Sequence, residues 1–163
     1  MQMDEATRAF LALRRIAVAG VSRTAKSPAN AIAKRFRDND YEVFAINPTG
    51  ETIDGQPSFA TVDAVDGGVE GVVVVTNPAH ALEIVPQAAR AGARWIWFHQ
   101  GMGPVSYDDE VLRAAREAHL NVIAAGCPMM YLAPDGFHRC ARGLFRLFGR
   151  IPKEIEVGTP SSR

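Results

Sequence analysis

The chain has 163 residues, of which 47% are hydrophobic and 22% charged, and its 18 basic side chains balance its 18 acidic ones. This length and composition suit one compact globular domain and argue against disorder. The even charge argues against a nucleic-acid-binding surface, and no apolar run reaches the roughly 20 residues of a membrane-spanning helix. The N-terminus has no secretory signal pattern, so we expect a cytoplasmic protein.

Short apolar runs alternate with amphipathic segments, after a first amphipathic helix predicted over residues 4–13. The runs end in glycine, Asn-Pro or similar turn signals, which is typical of strands buried on both faces of a parallel sheet. Helices are predicted between them, starting at Ser27-Pro28, after Pro78 and at Asp108. The predicted strands are residues 16–20, 41–46, 71–75, 94–98 and 121–125, with a very short one near 56–59.

Strands that alternate with helices predict a parallel sheet with right-handed crossovers. We therefore expect an α/β fold, a Rossmann-like doubly wound parallel sheet of five or six strands in a single domain. The expected division is an N-terminal helix (1–13), the sheet domain (14–132) and a C-terminal helix with a tail frayed over 157–163.

The predicted C-terminal helix is amphipathic and basic. Such a helix can bind a membrane surface or a protein partner. Two-faced helices are also the rule on the surface of globular proteins. We therefore expect it to pack on the sheet and to show its arginines to water. Its apolar residues are Phe137, Cys140, Ala141, Leu144, Phe145, Leu147 and Phe148, and its arginines are Arg139, Arg142, Arg146 and Arg150.

The first loop, residues 20–27, leaves a buried strand and enters a helix. In an open α/β sheet, ligands bind outside the carboxyl ends of the strands, and phosphates bind where such a loop enters a helix. The alternative is a solvated loop with an ordinary Ser-Pro cap. We expect phosphate contacts from Gly20, Ser22, Arg23, Lys26 and Ser27, with free amides of Ala29 and Asn30 at the helix start.

This loop is not the dinucleotide fingerprint. The pattern needs glycines two and five residues after Gly20, where this chain has Ser22 and Ala25. The acid expected after the second strand, which holds a ribose hydroxyl, is replaced by Asn47-Pro48. Both departures weaken an NAD-binding interpretation, and no glycine pattern precedes Lys26 to make a P-loop.

Five short motifs at strand ends carry a resemblance to a known family. They are 17–22 (AVAGVS), 43–48 (VFAINP), 76–78 (TNP), 97–101 (WFHQG) and 126–128 (GCP). In this order they resemble the stand-alone CoA-binding domain family, which is similar to the CoA-binding domain of the succinyl-CoA ligase alpha subunit. The resemblance covers residues 14–132 and implies a Rossmann-like fold that binds coenzyme A or an acyl-CoA.

The resemblance also implies roles for individual residues. Cys127 is implied near the edge of the cleft. The residues implied to face the nucleotide phosphates are Gly20, Ser22, Lys26 and Ser27. Those implied near the adenosine are Asn47 and Pro48, those near the diphosphate or pantetheine are Thr76, Asn77 and Pro78, and those closing the cleft are Gln100 and Gly101.

The motifs do not indicate a catalytic reaction. The sequence offers no coherent Ser/His/Asp set, no paired carboxylates at one strand end and no metal-ligand cluster. His99 is interpreted as a turn histidine, and Cys127 as a small buried hydrophobe rather than a reactive thiol. We therefore expect a non-catalytic CoA-binding protein, with no protein partner indicated. The alternatives are an NAD(P)-dependent oxidoreductase or redox-sensing nucleotide binder, and an interaction domain that has lost its ligand.

Overall fold

The computed structural model describes residues 1–24, 26–149 and 152. Its centre is a sheet of six strands, all parallel to their neighbours. All the predicted strands form, with ends that differ by one or two residues from the prediction. They are β1 (Arg15–Ala19), β2 (Glu42–Ile46), β3 (Ser58–Phe59), β4 (Gly71–Val74), β5 (Trp95–Phe98) and β6 (Asn121–Ala124).

Helices connect and cover these strands. Two single turns of 3₁₀ helix, Val62–Ala64 and Pro128–Met130, complete the elements in the described residues. None of the helices described is both long and apolar enough to cross a membrane. The helices are α1 (Met3–Leu11), α2 (Pro28–Arg37), α3 (Pro78–Arg90), α4 (Asp109–Glu117) and α5 (Gly136–Leu147).

The strand order is β3-β2-β1-β4-β5-β6. The chain starts in the middle, builds outward through β2 and β3, and then returns to the other side of β1 with β4. This is the Rossmann-like doubly wound topology that the sequence predicts. Its order reverses between β1 and β4, and ligands of such sheets bind in the crevice that opens at this switch point.

Both faces of the sheet are buried. One face packs against α1, α2 and α5, and the other packs against α3 and α4. Trp97 of β5 lies at the centre of the first face, where its ring meets that of Phe10 edge to face at 5.3 Å. Its indole N–H donates to the Ala125 carbonyl at 3.0 Å, so the largest core side chain leaves no polar atom unpaired.

The C-terminal helix α5 packs as expected through Phe145, which is 6% exposed. Its arginines depart from the expectation, because Arg142 and Arg146 pair with Asp4 of α1 instead of pointing only to water. Part of its apolar face is also left open: the exposed side chains are Leu144, Leu147 and Phe148, at 52%, 79% and 70%. Arg150 and the predicted tail, 157–163, lie outside the described residues.

Arg35 of α2 holds the segment that leads into α5. Its guanidinium donates to the Ala133 carbonyl at 2.6 Å and lies 3.1 Å from the Asp135 carboxylate. Asp135 in turn caps α5 by accepting the His138 amide N–H at 2.9 Å. Together with the Asp4 pairs, these contacts fix α5 against α1 and α2.

Gly20 lies where β1 and β4 end side by side. Its backbone has φ +102°, and a Cβ there would lie 2.2 Å from the Val75 carbonyl oxygen. Only glycine adopts this conformation without strain, and only glycine leaves room for the neighbouring carbonyl. The sequence predicts a glycine that admits a ligand, and the structure adds that the protein's own backbone occupies its Cβ position.

Gly20→Ala should destabilise the fold by about 3 kcal/mol, because left-handed strain and a backbone clash each cost roughly 1–3 kcal/mol. Urea unfolding of both proteins measures the difference. Gly92→Ala is the matched control, since Gly92 has φ +79° and a Cβ there would have nothing within 4 Å. Gly92→Ala should lose only the part of the stability that is due to left-handed backbone strain. Equal losses in the two variants would contradict the clash with Val75.

Candidate functional site

Two cavities open at the carboxyl edge of the sheet, on either side of the switch point. We call them the nucleotide-side and the arm-side cavity, after the nucleotide and the pantetheine arm of coenzyme A that the sequence resemblance implies at this edge. The nucleotide-side cavity has a volume of about 410 Å³ and lies between the ends of β1 and β2 and helix α3. The arm-side cavity has a volume of about 580 Å³ and lies between the ends of β4, β5 and β6 and helix α5. Thr76 lines both cavities. The two cavities are therefore neighbours at one edge of the sheet, with Thr76 at their boundary.

The two cavities collect many of the predicted site residues. Gly20, Asn47 and Pro48 line the nucleotide-side cavity, and the arm-side cavity is lined by Asn77, Gly101 and Cys127. Strand ends that are far apart in sequence thus meet at one edge. The predicted residues that line neither cavity are Ser22, Arg23, Lys26, Ser27, Pro78 and Gln100.

Asn30 fastens the first loop from within. Its side-chain oxygen accepts the Ser22 N–H at 3.0 Å, and its side-chain nitrogen donates to the Ser22 carbonyl at 2.7 Å. The Asn30 backbone N–H donates to the Ser27 carbonyl at 3.1 Å. The expectation of a free Asn30 amide is therefore wrong, because the helix cap already uses it. Ser22 keeps its backbone amide inside the loop for the same reason.

The charges of this loop differ in their surroundings. Arg23 is highly exposed and lies 3.2 Å from the Glu51 carboxylate. Lys26 is exposed and has no carboxylate partner within the described ranges. The Ser27 hydroxyl donates to the Gly20 carbonyl at 3.5 Å instead of capping the helix. Lys26 is thus the loop cation that is free to meet an anion.

Asn47 ties the end of β2 to the loop after β1. Its side-chain N–H donates to the Val21 carbonyl at 2.7 Å. Its side-chain oxygen accepts both the amide and the hydroxyl of Thr49, at 2.9 and 2.7 Å. These bonds shape the wall of the nucleotide-side cavity and leave the oxygen poorly placed to bind a ribose hydroxyl.

The start of α3 is a conventional cap. The Asn77 side chain accepts the His80 N–H at 3.0 Å, and Pro78 is the first residue of the helix. The Thr76 hydroxyl donates to the Asn77 carbonyl at 3.1 Å. This cap sets the edge that separates the two cavities.

His99 is a lining residue of the arm-side cavity that the sequence motifs did not assign to the site. The side chain is buried, and the chain folds back on it so closely that a Cβ on Gly101 would lie 2.9 Å from its Cε1. This burial lowers the pKa of His99 from 6.5 to about 4. The imidazole is therefore neutral at pH 7, since desolvation disfavours its charged form.

Cys127 is 4% exposed and also faces the arm-side cavity. Burial raises the pKa of its thiol from 9.0 to about 11. The thiolate is the nucleophilic form of cysteine, so this thiol is held in its unreactive state at neutral pH. Cys140 is exposed and the two cysteines are not bridged.

Helix α5 supplies a wall that no sequence motif marks. Ala141, Phe145 and His138 line the arm-side cavity from this helix. The His138 ring nitrogen Nδ1 lies 2.7 Å from the Asp135 carboxylate. Hydrogen bonds from His138 and from the Arg35 guanidinium hold the pKa of Asp135 well below its usual range. Segments that follow β5 and β6 add further unassigned lining, and Val75 and Pro28, the first residue of α2, complete it. The residues from those segments are Met102, Gly103, Pro104, Ser106, Met129 and Met130.

Comparison with known proteins gives a family match and several related folds. A family model described as a CoA binding domain matches residues 14–133. The uncharacterised protein YneT of Bacillus subtilis (strain 168) is 24% identical over 114 residues, which is 70% of this chain and 82% of YneT.

Two solved structures illustrate the range of similarity. A hypothetical protein from Pyrococcus horikoshii OT3 is 28% identical, with a TM-score of 0.71 over 80% of this chain and 92% of that one. The dinucleotide-forming acetyl-coenzyme A synthetase 1 of Ca. Korarchaeum cryptofilum is 22% identical, with a TM-score of 0.57. That match covers 66% of this chain and 25% of the synthetase, so it shows a shared fold only.

Buried His99 should make folding pH-dependent. Its pKa is about 4 in the folded state against 6.5 as the ordinary value, so the unfolded chain binds more protons between these values. Stability should be complete above pH 6.5 and fall by about 2 kcal/mol between pH 7.5 and 5. Urea unfolding at both pH values measures this loss.

His99→Gln removes the titrating ring and should flatten that part of the pH dependence. His80→Gln is the control, because His80 is exposed and should leave the profile unchanged. A wild-type profile that His99→Gln does not alter would show that the ring is solvated in both states.

Proposed function

This chain belongs to the CoA-binding domain family, and from that premise we propose that it holds coenzyme A or an acyl-CoA at the carboxyl ends of its parallel strands, without catalysing a reaction. The observation that carries the proposal is the pair of cavities that share Thr76 at the switch point. Coenzyme A has two dissimilar ends, a charged nucleotide and an uncharged pantetheine arm. Two dissimilar cavities side by side suit such a ligand.

In this proposal the adenosine occupies the nucleotide-side cavity, against Gly20, Asn47 and Pro48. The phosphates lie toward the first loop and the start of α2, where Lys26 supplies charge. Helix α2 has no acid of its own in its first turn and three bases in its last turn, and the Asp54 carboxylate accepts from the Asn30 side chain at 2.8 Å in that first turn. The pantetheine arm passes Thr76 and enters the arm-side cavity.

We propose that the protein is not a catalyst because of the protonation states of His99 and Cys127, the two titratable side chains expected to face the pantetheine arm. His99 and Cys127 are both neutral at pH 7, because burial lowers the pKa of the first and raises that of the second. An activated nucleophile needs a lowered thiol pKa or a base beside it. The cytoplasm is the proposed location, since reducing compartments keep thiols such as Cys127 and that of coenzyme A unbridged.

Coenzyme A should stabilise the protein more than NAD does. The fingerprint glycines are missing, and the side-chain oxygen of Asn47 is already engaged by Thr49. A ligand at 100 times its Kd adds about 2.7 kcal/mol of stability, which a thermal-shift panel of CoA, acetyl-CoA, NAD, NADP, ATP and ADP resolves. Equal or larger shifts with NAD would contradict the proposal, and no shift with any of them would favour an interaction domain.

Lys26→Ala should weaken CoA binding about ten- to hundredfold at low salt, because a hydrogen bond to a charged group contributes roughly 1.5–3 kcal/mol. The loss should shrink at high salt, since an exposed contact is screened over about 8 Å already at physiological salt. Calorimetry at two salt concentrations measures both effects. Lys34→Ala is the matched control, because Lys34 lies in the last turn of the helix that follows this loop and pairs with Asp38. Unchanged affinity of Lys26→Ala at both salts would leave the backbone amides as the phosphate site.

A further inference from the structure

The arm-side cavity is mostly apolar. Its side chains include three methionines, Met102, Met129 and Met130, together with Val75 and Phe145. Methionine side chains are flexible and polarisable, so they adapt to ligands of irregular shape. The cavity is also larger than the nucleotide-side cavity, at about 580 against 410 Å³.

Charge is nearly absent from this cavity. No Lys, Arg, Asp or Glu of the described residues lines it. His99 and Cys127 are neutral at pH 7 because both are buried. The His138 ring, which lines the cavity from α5, has its Nδ1 2.7 Å from the Asp135 carboxylate. The apolar part of this cavity, away from Pro28 at the start of α2, offers a phosphate no charged partner, whereas an apolar group there would gain from leaving water.

An exposed apolar groove continues the cavity. It is formed by Met102, Leu144, Phe145 and Phe148 and has a volume of about 390 Å³. Met102 and Phe145 line both the cavity and the groove. Large apolar side chains gathered on a surface usually mark a binding site, and here Met102 is 81% and Phe148 70% exposed. The groove therefore begins where the cavity ends.

We propose that this site takes a long-chain acyl-CoA, whose acyl chain fills the arm-side cavity beyond the pantetheine and continues into the groove. The inference rests on the proposed function, because the thioester must be held by its coenzyme A part at the strand ends. One occupant then accounts for both the uncharged cavity and the exposed apolar face of α5. The groove lies on the side of α5 that carries Leu144 and Phe148, away from the pairing of Arg142 and Arg146 with Asp4.

Chain length is the variable that tests this proposal. Each buried methylene should tighten binding about fourfold. Affinity should therefore rise steeply from CoA through butyryl-CoA to octanoyl-CoA. From octanoyl- to palmitoyl-CoA the gain per methylene should be smaller, because the groove is open to water. Calorimetry with these four ligands, the longer two kept below their micelle concentrations, gives the series.

Variants at exposed groove positions test the path of the chain without disturbing the core. The double substitution Leu144→Ser and Phe148→Ser should weaken palmitoyl-CoA at least tenfold and leave CoA and butyryl-CoA unchanged. Leu147→Ser is the matched control: Leu147 lies on the same helix, is 79% exposed and does not line the groove. It should leave all four affinities unchanged.

The possible failures are distinguishable. If CoA binds and acyl length has no effect, the acyl site is refuted and the proposed function stands. If neither CoA nor any acyl-CoA binds, both are refuted. Palmitate binding as tightly as palmitoyl-CoA would overturn the thioester as the ligand. A dimer that the groove variant dissociates and palmitoyl-CoA does not would assign the groove to a second copy of the chain.

Discussion

The shape of the whole site depends on the close approach of the ends of β1 and β4. There the Val75 carbonyl fills the space that a side chain on Gly20 would need. β1 and β4 end side by side at the switch point, and the cavities open on either side of it. This edge therefore holds two neighbouring cavities with Thr76 between them. The division gives the edge two chemical environments, one bounded by polar loops and one by apolar side chains.

The polar side is organised by asparagines that bond to backbone. Asn30 holds both main-chain groups of Ser22, and Asn47 joins the loop after β1 to the end of β2. These bonds fix the positions of Val21 and Ser22 at the start of the first loop, while Lys26 forms no ion pair with the described residues.

The apolar side depends on α5, which follows the residues matched by the family model. Burial of Phe145 in the core beside α1 and α2 holds this helix, and ion pairs with Arg35 and Asp4 add to that contact. The same enclosure that makes the cavity apolar also keeps His99 and Cys127 uncharged. Exclusion of water is thus the common cause of the apolar lining's effect and of the neutral state of these two side chains.

The sequence alone determined the order of strands and helices, since buried parallel strands read as continuous apolar runs such as 71–75 and helices begin at recognisable caps. It also placed Gly20, Asn47 and Thr76 at strand ends, and the parallel topology makes such ends converge. It did not reveal that the backbone amide of Asn30 is already hydrogen-bonded within the helix start, or that Lys26 and Ser27 line neither cavity. It also did not reveal that His99 and three methionines line the arm-side cavity. Those facts depend on contacts between segments far apart in the chain. The sequence pattern of α5 showed an apolar face, but only the tertiary structure decided that Phe145 is buried while Leu144 and Phe148 are left open. The reason is that α5 packs against α1 and α2, which lie more than 90 residues away in the chain.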